Sequence, residues 1–165
     1  MKLPITIFAS AILLAGITEG AMAACDDPQI MNTTANPTRL FNLLNGGTPN
    51  GNTVCVSASG GGWENQEEHT NLTNTVPGVS GLQLLDYKKG SGDPVDPTTQ
   101  VGTWSVSGMD EATQVTYYYT HGGNSGPFEF TVHSPDVGTI TNLTFCGVNV
   151  TDQINATLKT GGGGC

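Results

Sequence analysis

The sequence predicts an all-β domain: an antiparallel meander of about eight strands that closes into a small barrel, with one short helix near its start. A two-sheet sandwich is the alternative. Three observations carry the prediction. From residue 52 onward, short runs rich in β-branched and aromatic residues recur, separated by clusters of Gly, Pro, Asn and Asp. Most links between these runs are short, which favours strands that pair with their chain neighbours. Only one earlier stretch has helical spacing.

Residues 1–24 read as a signal peptide. Lys2 supplies a positive start, Leu3–Ile17 is an apolar run, and Ala21-Met22-Ala23 matches the small-residue rule for cleavage after Ala23. A lipoprotein signal acylated at Cys25 is the rival reading. The apolar run is short for a membrane span, and no later stretch reads as one. The remainder, 25–165, reads as one disulfide-linked β domain. Within it, a short helix is expected over 36–46, where Leu40, Phe41, Leu43 and Leu44 give an apolar face and Gly46-Gly47 ends the turn. The meander occupies 52–160, and 161–165 is a Gly-rich tail ending in cysteine.

Eight strand-like runs follow: 52–58, 63–70, 82–89, 102–108, 114–121, 128–134, 139–146 and 152–159. The stretch "GSGDPVDPTTQ" between the third and fourth reads as a turn-rich link, because Asp-Pro pairs start turns. Alternation assigns faces. Phe128, Phe130 and Val132 share one face, as do Trp104 and Val106, and Val115, Tyr117, Tyr119 and His121; these faces are expected to line the interior. Tyr118 falls on the opposite face, where it is a candidate contact residue.

After signal removal the chain keeps four basic and thirteen acidic residues, a net charge of −9. Such a chain is repelled by nucleic acid and by anionic membrane surfaces. It suits a soluble protein of the periplasm or cell exterior, with a small-molecule or a basic protein partner. Cys25, Cys55, Cys146 and Cys165 form an even set, which in an exported chain reads as two disulfides with three possible pairings. Antiparallel strand direction disfavours Cys146–Cys165. No C-x-x-C spacing points to zinc.

The stretch with most chemical content is "SGGGWENQEEHT", residues 59–70. On a strand, Trp63, Asn65, Glu67 and His69 share a face. If Trp63 points inward, a polar ladder enters the barrel with it and makes a small-ligand pocket, since buried polar groups need partners that a ligand can provide. The plainer expectation is a solvated strand with Trp63 at the rim. His-Glu-x-x-His spacing is missing, which removes the metalloprotease reading. His69, His121 and His133 lie on different strands and are the candidate metal set; the plainer expectation is three surface residues at strand ends. No nucleophile elbow occurs. Strand geometry could set Glu67 and Glu129 across a cavity for glycoside chemistry, but any chain with thirteen acidic residues allows such a pair, so the pattern carries almost no signal. No particular cofactor is implied, and no catalytic residue is identified.

The segments "GNT" at Gly51–Thr53 and "GTW" at Gly102–Trp104, followed by a hairpin and a cysteine-bearing final strand, resemble small exported bacterial barrels of the lipocalin-like or avidin-like kind. The resemblance spans residues 38–160. It implies a barrel that binds something rather than transforms it, and it designates no binding residue. The functional expectation is an exported, non-catalytic carrier of a small ligand or metal. The alternative is a protein-interaction module, such as an inhibitor or surface-assembly subunit.

Overall fold

The computed structural model describes residues 24–47, 51–57, 64–73, 80–90, 93–120, 126–149, 151–161 and 165, with backbone alone for 57, 64–65, 86–90 and 93–99. One helix, α1 (Arg39–Asn45), precedes eight strands: β1 (Thr53–Ser57), β2 (Glu64–Thr73), β3 (Leu82–Gly90), β4 (Asp93–Ser107), β5 (Gln114–Tyr119), β6 (Phe128–His133), β7 (Asn142–Gly147) and β8 (Gln153–Lys159). Each strand pairs antiparallel with its chain neighbours, and β1 pairs with β8, so the sheet closes into a barrel with no free edge. The barrel, rather than the sandwich, is the observed architecture.

Inner and outer faces follow the alternation. Val54, Leu84, Trp104, Val115, Tyr117, Phe130, Val132, Leu143, Phe145, Ala156 and Leu158 form the buried core. An eight-stranded barrel is just wide enough for side chains to fill it. Burying each Leu or Val contributes roughly 1.5–3 kcal/mol relative to exposure. Helix α1 closes one end. Leu40 and Leu44 stand one turn apart and are fully buried, and Phe41 stacks on Trp104 with ring centroids 5.3 Å apart. Ile30 joins this plug, donating its N–H to the Val132 carbonyl at 2.7 Å.

Two buried asparagines hold the plug in place. Asn32 Oδ1 accepts the Leu40 N–H at 2.9 Å. Asn52 donates from Nδ2 to the Leu43 carbonyl at 2.8 Å, and its Oδ1 accepts the Gly161 N–H at 2.9 Å. Gly46 ends the helix in the left-handed region, φ 68°, where a side chain would also collide with Asn52.

Several boundaries differ from the sequence expectation. Strand β4 begins at Asp93, so most of the "GSGDPVDPTTQ" link continues the β3–β4 hairpin. Its register shifts around Lys88, and such irregular pairing tolerates Pro94 and Pro97, which have no N–H to give. Strand β7 starts at Asn142 rather than 139, because Asp136 Oδ2 takes the Thr141 and Asn142 N–H groups at 2.7 Å each and holds that stretch as a turn. The helix occupies 39–45, inside the expected 36–46.

The disulfides are Cys25–Cys146 and Cys55–Cys165, with Cα atoms 5.8 and 5.9 Å apart. They tie residues 25 and 165 to strands β7 and β1 of the barrel wall. Such bonds persist in oxidising compartments, consistent with an exported protein. Among the described residues, no helix is long and apolar enough to cross a membrane.

Candidate functional site

The central residues of the polar strand β2 are buried on both faces, while 71–73 at its end are exposed. Gln66, Glu67, Glu68, His69 and Thr70 are each less than a tenth exposed. This overturns the expectation of a solvated strand. On the outer face, the Cys55–Cys165 disulfide brings residue 165 against β1, and the Cys165 N–H donates to Gln66 Oε1. Glu67 and His69 point into the barrel, opposite Val54 and Leu84 in the register.

His69 sits in the centre of the core. Its ring makes edge contacts with Trp104 and Tyr117, at centroid distances of 5.0 and 5.6 Å. Burial drives its pKa from 6.5 down to about 3, so the imidazole is neutral at physiological pH. With the proton on Nδ1, it donates to the Glu67 carbonyl at 3.2 Å, and Nε2 accepts the Tyr117 hydroxyl at 2.8 Å. The Tyr117 pKa is raised well above its usual value by burial and by the nearby Glu67 charge, which keeps that hydroxyl a donor. Both imidazole nitrogens are therefore engaged. His69 is an internal strut, not a strand-end surface residue.

The backbone around it is equally fixed. The His69 N–H donates to the Asn52 carbonyl at 3.0 Å, and the His69 carbonyl accepts from Asn45 Nδ2 at 3.3 Å. Trp104 Nε1–H donates to the Thr70 carbonyl at 2.9 Å.

Glu67 lies one step further from the helix, on the same inner face. Its Oε2 accepts the Tyr119 hydroxyl at 3.1 Å. Tyr119 packs on Tyr117 at 6.3 Å, nearly parallel, and on Phe128 at 5.9 Å. Glu67 is 8% exposed, and Tyr119 and Phe128 are partly exposed, as are the inner-face residues Val56 and Ile154 beside this end. The layer beneath the helix, with Leu84, Trp104, Val115, Val132 and Leu143, is entirely buried. The barrel is thus filled at one end, while a carboxylate and aromatic rings meet toward the other.

The remaining candidates lie apart. His133 sits on the outer face of β6, with Nδ1 on the Asp27 carbonyl at 2.7 Å and Nε2 on Thr131 Oγ1 at 2.9 Å. The barrel wall separates it from His69. Trp63 and His121 fall outside the described residues, and Asn65 is placed only by its register position, opposite Val56. Tyr118 is half-buried on the outer face, opposite Thr103. Glu129 is on the outer face of β6, so it does not confront Glu67 across the interior. Among the described residues, no group of three His, Cys, Asp or Glu side chains assembles to hold a metal.

Two parts of the arrangement escaped the sequence reading. The Glu67–Tyr119 bond joins residues far apart in the chain; its signal was the inner-face alternation of both strands. Asn32 and Asn52, which fix the plug, carry no local signature at all. No family model, curated protein or solved structure matches the chain, so the site rests on its own geometry.

Proposed function

We propose that this protein is exported by its N-terminal signal and binds a small ligand, without chemistry, at the barrel mouth opposite helix α1. The observation that carries the reading is the polarity of the barrel axis. One end is sealed by a helix, and toward the other an inward carboxylate, Glu67, stands among partly exposed aromatic rings. Ligand sites commonly combine an apolar lining with a few fixed polar groups, and the mouths of barrels are favoured places for them. His69 belongs to the floor. It orients Tyr117 and offers no ring nitrogen to a ligand.

The test is native mass spectrometry of the mature protein, taken from its own exported fraction without chelators. The expected result is non-covalent mass above the two-disulfide chain, lost in Glu67→Ala, with the circular dichroism spectrum unchanged. A bare mass for the wild type, or retention of the extra mass by Glu67→Ala, contradicts the assignment.

A further inference from the structure

We propose that Cys55–Cys165 is an exchangeable disulfide, opened in the folded protein by a dithiol reductant, whereas Cys25–Cys146 is the structural bond. The two bonds differ in their surroundings. Cys146 is 9% exposed on strand β7, and Cys25 is half-buried. Residue 25 opens a segment that the barrel grips by other means. His133 Nδ1 donates to the Asp27 carbonyl at 2.7 Å, the Ser134 N–H donates to the Pro28 carbonyl at 3.1 Å, and the Ile30 N–H donates to the Val132 carbonyl. Cys165, by contrast, is exposed, and its partner Cys55 is half-buried on β1. Four glycines, 161–164, precede residue 165. Among the described residues, the hydrogen bond that holds residue 165 runs from its N–H to Gln66 Oε1. Exposed disulfides are the labile ones, because a thiolate must reach a sulfur to attack it.

Gln66 sets a cost on the closed state. It stands opposite Cys55 in the register, is 1% exposed, and its Nε2 finds no hydrogen-bond partner among the described residues. A buried donor left unpaired costs free energy that water restores on opening. Tethering residue 165 also closes a loop over the glycine run, and glycine has the most backbone freedom to lose. Both effects oppose closure, so the covalent bond rather than packing keeps residue 165 in place. In the exchange, one thiolate of the reductant attacks the Cys165 sulfur, the S–S bond breaks, and Cys55 leaves as a thiolate that takes up a proton. The second thiol of the reductant then attacks its own sulfur in the mixed disulfide and releases Cys165 as a thiol. The protein gains a pair of electrons and a pair of protons, and the dithiol becomes a disulfide. The product is an intact barrel with residue 165 released, a free thiol at Cys55 and Gln66 open to water.

The test is stepwise reduction of the intact, folded protein with dithiothreitol at neutral pH and without denaturant. Free thiols are trapped at intervals with N-ethylmaleimide and located by peptide mass spectrometry. Cys55 and Cys165 are expected to label faster than Cys25 and Cys146 by about tenfold or more, with the circular dichroism spectrum unchanged at that stage. In the partly reduced protein, the Gln66 side-chain amide protons should exchange with water faster than in the oxidised protein. Equal labelling rates at the four cysteines, or earlier labelling of Cys25 and Cys146, overturn the proposal. So does a Cys55–Cys165 bond that opens only as the dichroism signal collapses. Unchanged exchange at the Gln66 amide overturns its part in the closed state. As a second test, the double variant Cys55→Ser with Cys165→Ser should keep the wild-type dichroism spectrum; loss of that spectrum would make this bond structural and overturn the assignment.

Discussion

At the helix end of the barrel, Ile30, Leu40, Leu44, Trp104 and Val115 are removed from water, and the polar atoms among them are tied by Asn32 and Asn52. At the opposite end, the inner-face residues Val56, Tyr119, Phe128 and Ile154 are partly exposed, and a carboxylate stands beside Tyr119. An apolar plug contributes stability roughly in proportion to area, whereas a charge inside a barrel costs free energy unless something partners it. The contrast teaches that the apolar packing which stabilises the barrel is densest at the helix end, while its inward carboxylate stands toward the other. His69 and Tyr117 form the floor between them.

That division can be broken or sharpened by substitutions along the axis. The largest effect is expected from Trp104→Ala at the plug. It removes the ring that stacks on Phe41 and the N–H that satisfies the Thr70 carbonyl. The expected loss is roughly 3–5 kcal/mol of stability, read from urea unfolding midpoints. A loss below about 1 kcal/mol would mean that the helix end does not hold the barrel together.

An intermediate effect belongs to the floor. The His69 imidazole takes up a proton below about pH 6.5 when unfolded, but only near about 3 when folded. The unfolded state therefore binds more protons across that window, and stability is full at neutral pH and lost as the pH falls through it. Asp136 adds a second loss at lower pH. Its hydrogen bonds to the 141–142 backbone lower its pKa from 3.8 to about 2, so its contribution fades across that range. Urea midpoints measured between pH 7 and pH 4 should fall for the wild type and flatten for His69→Gln. Parallel curves for the two proteins would show that His69 is not the group responsible.

The smallest effect on stability is expected at the mouth. Glu67→Gln keeps an acceptor for Tyr119 and should shift unfolding by less than Trp104→Ala does. A large destabilisation would place Glu67 in the structural core and erase the contrast between the ends.

Much of the barrel was legible in the chain. Val115, Tyr117 and Tyr119, and Phe128, Phe130 and Val132, alternate cleanly with polar residues, so period-two reasoning put them on inner faces, where they lie. Strand direction disfavoured Cys146–Cys165, in agreement with the observed pairing. Strand β2 was harder. Its residues 66–70 are polar on both faces, and a local reading of such a segment sends it to solvent. Partners for it come from elsewhere in the chain: Cys165 beside Gln66 on the outer face, and Tyr117 and Trp104 around His69 on the inner. The first turns of β4 were hidden by Pro94 and Pro97, turn formers that this hairpin accommodates through register shifts. Alternation put Glu67 and Tyr119 on inner faces, but their meeting across the interior depends on barrel closure and register, which no local pattern encodes.

The most direct test of the central claim is a pair of amide chemical-shift maps of the mature protein, one as purified from its own exported fraction and one after unfolding and refolding have stripped non-covalent ligand. The account predicts differences concentrated at 66–69, 117–119 and 128–130, with residues 39–45 of the helix unmoved. Differences centred on the helix, or identical maps, would contradict a binding mouth at the end away from the plug.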